Sequence, residues 1–342
     1  MSRHDGENQT RPGKYDQPPR GIRILHSLRK DPDWEALTPE ELTAHVAGAN
    51  RLAGSKLMRV VTGLPARGTS IEWQQVTFPD RAVPIRVYRP VGEHTGALPL
   101  VLHVHGGGFA GTAAQCDWGN SHLAAELPAV IVSVEHRLIA PDTPLTAAVD
   151  DDWDVLRHIL NQPGEWGIDP ARVILAGESG GALISALTAI RAAATGLPLL
   201  AQVLINPAFD LTDTMFDYPT MTHYAETPTL NLPRLKLFRR LAVPPGEDPR
   251  PLSPLYADLT GQPPALVVIP TLDPLADQGR RYAERLHDFG IPVQLSEYPG
   301  APHAFIAMPG LVPQAKAART DITAFLHARL SDSITTRSKL DR

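Results

Sequence analysis

"VILAGESGGALISALTAI", residues 173–190, joins two kinds of chain with nothing between them. Val173 to Ala176 is an apolar, β-branched run, and from Ala182 onward the residues are Ala- and Leu-rich with helical character. The stretch therefore predicts a buried strand that turns directly into a helix. At the seam stand Gly177, Ser179 and Gly181, in the order G-x-S-x-G. A turn this sharp brings the chain against itself and needs small neighbours, and it lifts the Ser179 hydroxyl above the sheet edge beside a helix amino terminus. The plainer reading of the same residues is a Ser/Gly helix cap.

Around this seam the same alternation recurs. "SIEWQQVTF", "VPIRVYRP", "LPLVLHVH", "AVIVSVEHR", "RVILAGES", "AQVLINPAF", "ALVVIPTLD" and "VQLSEYPG" read as strands. The first two sit close together, as an antiparallel entry would. The later ones are separated by helical stretches near 118–127, 147–161, 181–195, 275–289 and 313–330. That spacing predicts an α/β fold with an eight-stranded, mostly parallel sheet flanked by helices.

Residues 21–68 and 211–250 break the alternation and are expected to form a helical cap, with packing on the sheet faces as the blander alternative. The catalytic domain would then comprise residues 69–210 and 251–330. Residues 1–20 and 331–342 are polar or poor in large apolar side chains, and are expected to be a disordered leader and a flexible tail.

With 342 residues, 43% of them hydrophobic, the chain can bury a large core. The net charge of −5 comes from mixed charges without long single-sign runs, which argues against a nucleic-acid or anionic-membrane surface. Cys116 is the sole cysteine and cannot form an internal disulfide. No secretory h-region is visible and no stretch approaches the ~18 apolar residues of a membrane span, so the cytoplasm is the expected location.

A serine hydroxyl is a poor nucleophile near neutral pH and needs an oriented base. Asp273 in "IPTLDPLADQG" and His303 in "YPGAPHAF" each follow a predicted strand, giving the chain order serine, acid, histidine. In a parallel sheet all three fall on one edge, where His303 can take the Ser179 proton while Asp273 fixes the imidazole tautomer. Asp277 is a near competitor to Asp273. A second glycine run, Gly106 to Gly108 in "LHVHGGGFAGT", also ends a predicted strand. Bare backbone there can offer N–H donors to a tetrahedral oxyanion, and Gly107, Gly108 and Gly180 are the donors expected. His105 is expected to hold the loop rather than to act as a base.

At these residues the chain resembles the hormone-sensitive-lipase-like branch of the α/β-hydrolase esterases, which pairs an HGGG loop with G-D-S-A-G-G. "HGGGF", "GESGG", "DPLAD" and "PHAF" match that branch in order, and "HRLIAPDTPLTAAVDDDW" is similar to its Y-R-L-A-P-E…A-A-V-D-D segment. The likeness runs from about residue 75 to 325. Glu178 stands where the branch usually has Asp, Gly180 where it has Ala and His136 where it has Tyr, with one extra residue in "RLIAP". The resemblance implies a capped hydrolase that cleaves short-to-medium acyl esters without cofactor or metal. Phe109, Met215, Phe216, Tyr218 and Phe305 are the residues expected to bind substrate. The partner implied is a small-molecule ester, with homodimer formation left open. A lactone, an acetylated natural product or an elimination substrate would suit the same apparatus, and a non-catalytic ligand receptor is the rival reading from another class.

Overall fold

The structure, a computed structural model, describes residues 17–28 and 31–340. Eight strands form one sheet: β1 (Thr69–Thr77), β2 (Ala82–Pro90), β3 (Leu98–Val104), β4 (Val130–Val134), β5 (Ile168–Glu178), β6 (Ala201–Ile205), β7 (Ala265–Leu272) and β8 (Val293–Pro302). They lie in the order β1-β2-β4-β3-β5-β6-β7-β8. β1 and β2 pair antiparallel, as do β2 and β4, and every later pairing is parallel. β4 and β6 are buried along their whole length, and β3 and β7 nearly so. Helices cover both of their faces, which is why these strands read as continuous Val/Ile/Leu runs instead of alternating. β1, at the edge, is largely exposed.

The helices are α1 (Arg20–Leu28), α2 (Pro39–Ala53), α3 (Arg59–Thr62), α4 (Asp117–Glu126), α5 (Leu145–Asn161), α6 (Pro163–Trp166), α7 (Gly180–Ala194), α8 (Pro219–His223), α9 (Leu232–Ala242), α10 (Ala276–Asp288) and α11 (Gln314–Leu340). α2 starts where its sequence says it should: the Thr38 hydroxyl accepts from the Glu41 N–H, the Glu41 carboxylate accepts from the Thr38 N–H, and Pro39 opens the first turn. α9 is capped by Asn231, whose side chain accepts from the Arg234 N–H.

The described residues of 20–62 and 213–242, outside the strand–helix alternation, are partly helical and share the core of the sheet. Trp34, Leu42 and Phe238 belong to the same continuous apolar core as Leu183, Leu204 and Ile269. The opposite face of the sheet has its own core, in which Val101 and Val203 meet Ala318 and Ile322 of α11.

Residues 1–16, most of the leader expected to be disordered, lie outside the described residues, and α1 begins at Arg20. The flexible tail expected from residue 331 is instead a continuation of α11 to Leu340. "SDSITTRSKL" contains neither Gly nor Pro, so nothing in it stops a helix already propagating from a packed segment.

Candidate active site

The parallel register sets the end of β3 beside the end of β5, with Val104 opposite Gly177. The glycine run after β3 and the serine after β5 therefore emerge as neighbours at one edge of the sheet. Ser179 sits at φ 53° and ψ −118°, a conformation that a residue with a Cβ rarely adopts. Its flanking glycines have steric causes. A Cβ on Gly177 would lie 2.3 Å from the Gly181 carbonyl oxygen, and one on Gly181 would lie 2.3 Å from the Val104 carbonyl oxygen. The strained turn is held by the Ser179 N–H, which donates to Ile205 O on β6 at 2.8 Å.

The Ser179 hydroxyl lies 2.8 Å from Nε2 of His303, and Nδ1 of His303 lies 2.7 Å from Oδ2 of Asp273. Asp273 is fully buried, and its other oxygen accepts from the Leu275 N–H at 2.9 Å. A carboxylate can only accept, so Nδ1 carries the imidazole proton and Nε2 presents its lone pair to the hydroxyl. Asp277, the competing acid, is engaged elsewhere: it accepts from the Thr220 N–H and pairs with Arg280 at 2.8 Å. Asn206, after β6, places its amide nitrogen 3.4 Å from the same Nε2. No sequence motif pointed to Asn206; only its place at a strand's carboxyl end could have done so.

Gly107 and Gly108 have φ of 118° and 61°. The Cα of Gly180 faces the Gly108 backbone so closely that a Cβ there would sit 3.1 Å from the Gly108 nitrogen. The three glycines thus converge beside Ser179. Their loop is tied on several sides: the Ile139 N–H donates to Gly108 O, the Gln115 amide to Gly106 O, and the Gly111 N–H to the Asn50 side-chain oxygen on α2 at 2.8 Å. His105 is another of these ties, its Nδ1 2.9 Å from Gly106 O. The ring stacks on His136 with centroids 4.4 Å apart. Burial lowers the pKa of each to about 4, so both rings are neutral at pH 7.

Glu178 borders the cavity over Ser179 and joins a buried polar cluster, with one carboxylate oxygen 3.6 Å from Nε2 of His103. Nδ1 of His103 lies 2.9 Å from the Ser133 hydroxyl. Among the described residues, His103, Cys116 and Glu178 form one group whose donor atoms, all within 4.8 Å of one another, have the types of a metal site. Burial raises the Cys116 thiol pKa well above its usual value, and the neighbouring Glu178 raises it further. That keeps the thiol protonated and suits a hydrogen-bonded network beneath the nucleophile.

A cavity of about 690 Å³ opens over Ser179 and His303. Helices from both irregular segments line it, through Asn50 and Leu52 of α2 and Leu235 and Phe238 of α9, together with Phe109. The Phe238 ring lies directly over the glycine loop, where a Cβ on Gly108 would meet it at 2.4 Å. Four expected substrate contacts are corrected here, since the residues lining this cavity include Phe109 but not Met215, Phe216, Tyr218 or Phe305. Met215 is fully buried in the core, with Phe216 packed against it, and the Tyr218 hydroxyl is tied to Asp210 at 2.8 Å. Phe305 lies in the core of the opposite face against Tyr298.

Residues 101–307 match a family model described as alpha/beta hydrolase fold. The chain is 37% identical over 248 residues to carboxylesterase NlhH of Mycobacterium tuberculosis, covering 69% of this chain and 75% of that one. It is 33% identical over 242 residues to an ethyl acetate hydrolase of Pseudomonas putida, covering 68% and 74%. Among solved structures, an alpha/beta hydrolase enzyme from the metagenome of Lake Arreo superposes with a TM-score of 0.82 at 28% identity, over 92% of this chain and 98% of that one.

Proposed function

The chain belongs to the alpha/beta hydrolase fold family, in its hormone-sensitive-lipase-like branch, and is an ester-hydrolysing enzyme; from that premise we propose that it works through an acyl-enzyme on Ser179. The observation that carries this reading is the unbroken hydrogen-bonded chain from the Ser179 hydroxyl through His303 to buried Asp273, at 2.8 and 2.7 Å. As Ser179 Oγ attacks the ester carbonyl, its proton passes to Nε2 of His303, and Asp273 stabilises the imidazolium. The carbonyl oxygen becomes an oxyanion facing the N–H groups of Gly107, Gly108 and Gly180. Collapse of the tetrahedral species expels the alcohol, which takes the proton from Nε2. Water, deprotonated by the same nitrogen, then releases the acid.

The acyl groups cleaved are short to medium. A cavity of about 690 Å³ roofed by Phe238 supports this, as does the likeness to an ethyl acetate hydrolase. The irregular helical segments serve as the cap that closes it. Turnover of a chromogenic acetate or butyrate ester tests the assignment. Ser179→Ala or His303→Ala should lower kcat by about 10⁴–10⁶, and Asp273→Asn by about 10⁴, with folding retained. A fluorophosphonate should label Ser179 alone. Label on another residue, or more than a tenth of wild-type turnover in Ser179→Ala, would overturn the assignment.

A further inference from the structure

Apolar side chains that a folded chain ordinarily hides are concentrated on one part of this surface. Ile24 and Leu25 of α1, Leu52 near the end of α2, Leu57 just before α3, Val60 of α3 and Leu64 beyond it are between 41% and 78% exposed. They are six of the eleven large apolar side chains so exposed among the described residues. Several of them flank one opening: Leu25 and Leu52 line the cavity over Ser179, and Leu57 and Val60 adjoin in sequence Met58 and Val61, which line it too. α1 and α3 are also anchored to the same segment: Gly21 lies against Leu311, and the Gly310 N–H donates to Val61 O at 3.0 Å.

The two segments that carry these side chains are cationic, while Asp31, Asp33, Glu35, Glu40 and Glu41 lie in the stretch between them. Residues 17–28 and 51–68 carry Arg20, Arg23, Arg51, Lys56, Arg59 and Arg67, all exposed, and no Asp or Glu, in a chain whose net charge is −5. We propose that this face docks on the surface of an anionic phospholipid bilayer, its apolar side chains entering the interface and its cations meeting the headgroup phosphates. Apolar and cationic groups on one helical surface are what interfacial attachment requires. No helix among the described residues is long and apolar enough to cross a membrane, so the contact is with the surface. A second copy is a poorer occupant, since a symmetric contact through this face would set six cations against six. Residues 1–16 are poorer still, with Met1 and Tyr15 their only large apolar side chains. Docked in this way, the cavity mouth opens onto the acyl layer. Esters dissolved there then reach Ser179 without crossing water, a consequence that rests on the proposed ester hydrolysis, whereas docking itself does not.

Flotation of the full chain with vesicles of phosphatidylcholine alone and of phosphatidylcholine with phosphatidylglycerol tests this. Partition onto the anionic vesicles should exceed that onto neutral ones by about tenfold or more, and should largely vanish in about 0.5 M salt. Leu57→Ser with Val60→Ser, and separately Lys56→Glu with Arg59→Glu, should each reduce it by about tenfold while hydrolysis of a water-soluble acetate ester stays unchanged. Ser179→Ala should bind the vesicles like the unaltered protein, so docking and hydrolysis can fail independently. Equal partition onto both vesicle types, no partition, or a dimer that the Leu57 and Val60 substitutions dissociate would overturn the proposal.

Discussion

At the scale of single residues, the glycine loop makes the sharpest demands. Gly108 needs φ of 61° and leaves no room between its Cα and Phe238. Gly108→Ala should therefore lower kcat with little change in KM, by up to the ~2.7–4 kcal/mol that loss of one oxyanion donor costs. Adding Phe238→Ala relieves the contact but not the backbone strain, so rates on an acetate ester separate the two causes. Recovery to wild-type kcat in the double variant would leave no part for the strain. Gly180 is different. The branch usually has Ala here, which suggests a mild effect, yet a Cβ would press on the Gly108 nitrogen at 3.1 Å. Gly180→Ala should accordingly cost a few-fold in kcat, and a fully active variant would show that the loop shifts freely. These local requirements explain why the convergence of Ser179, Asp273 and His303 was legible in the sequence. Each follows a strand, and the serine turn cannot be built without glycines at 177 and 181. Met215, Tyr218 and Phe305 do not line the cavity for the converse reason: a large apolar residue announces burial, but neither the side of the sheet, which is the opposite one for Phe305, nor whether it faces the cavity or the packed core beside it, as Met215 and Tyr218 do.

At the scale of elements, α2 and α9 govern the mouth of the site, one by a hydrogen bond and the other by a ring. Asn50 of α2 accepts from the Gly111 N–H at 2.8 Å, tying a helix of the proposed cap to the loop that carries the proposed oxyanion donors. Asn50→Ala should lower kcat by about tenfold, the worth of one hydrogen bond of ~1–1.5 kcal/mol, and Asn50→Asp, which keeps an acceptor, should recover most of it. A KM effect without a kcat effect would make Asn50 a wall of the cavity and nothing more. Phe238 of α9 limits the room above the glycines. Phe238→Ala should move the preferred acyl chain to longer lengths, each newly accommodated methylene adding about 0.8 kcal/mol, or roughly fourfold in kcat/KM. An unchanged chain-length profile would place the limit elsewhere. The sequence marked both segments as exceptions to the alternation, but the partners of Asn50 and Phe238 are 61 and 130 residues distant, and nothing local encodes such pairings.

At the scale of the whole molecule, the sheet was legible because its buried strands are written as uninterrupted Val/Ile/Leu runs, while the cationic character of residues 17–28 and 51–68 was hidden by a total of −5. The response of stability to pH is set by buried groups from several elements, the stacked pair His105 and His136 and, on α5, Asp152. His105 and His136 are neutral in the fold, with pKa values lowered by burial from 6.5 to about 4. The unfolded chain therefore holds two more protons than the folded one between those limits, and stability from this source falls as pH falls from 6.5 to about 4. Asp152 acts in the opposite sense. Burial raises its pKa from 3.8 to about 7, with the Thr188 hydroxyl donating to one oxygen and none of the described residues reaching the other. Here the folded chain holds the extra proton, so stability from this source falls as pH rises from 3.8 to about 7. Each unmatched proton is worth about 1.4 kcal/mol per pH unit. From these three groups, stability should rise by roughly 1.4 kcal/mol per pH unit between about pH 4 and 6.5, where one opposes two. Asp152→Asn removes the opposition. The variant should match the wild type near pH 4, gain at roughly twice the slope, and end a few kcal/mol more stable at pH 8. Urea unfolding at pH 4.5, 6.5 and 8 measures the divergence directly, and parallel curves for the two proteins would mean that Asp152 is already ionised in the fold across that range.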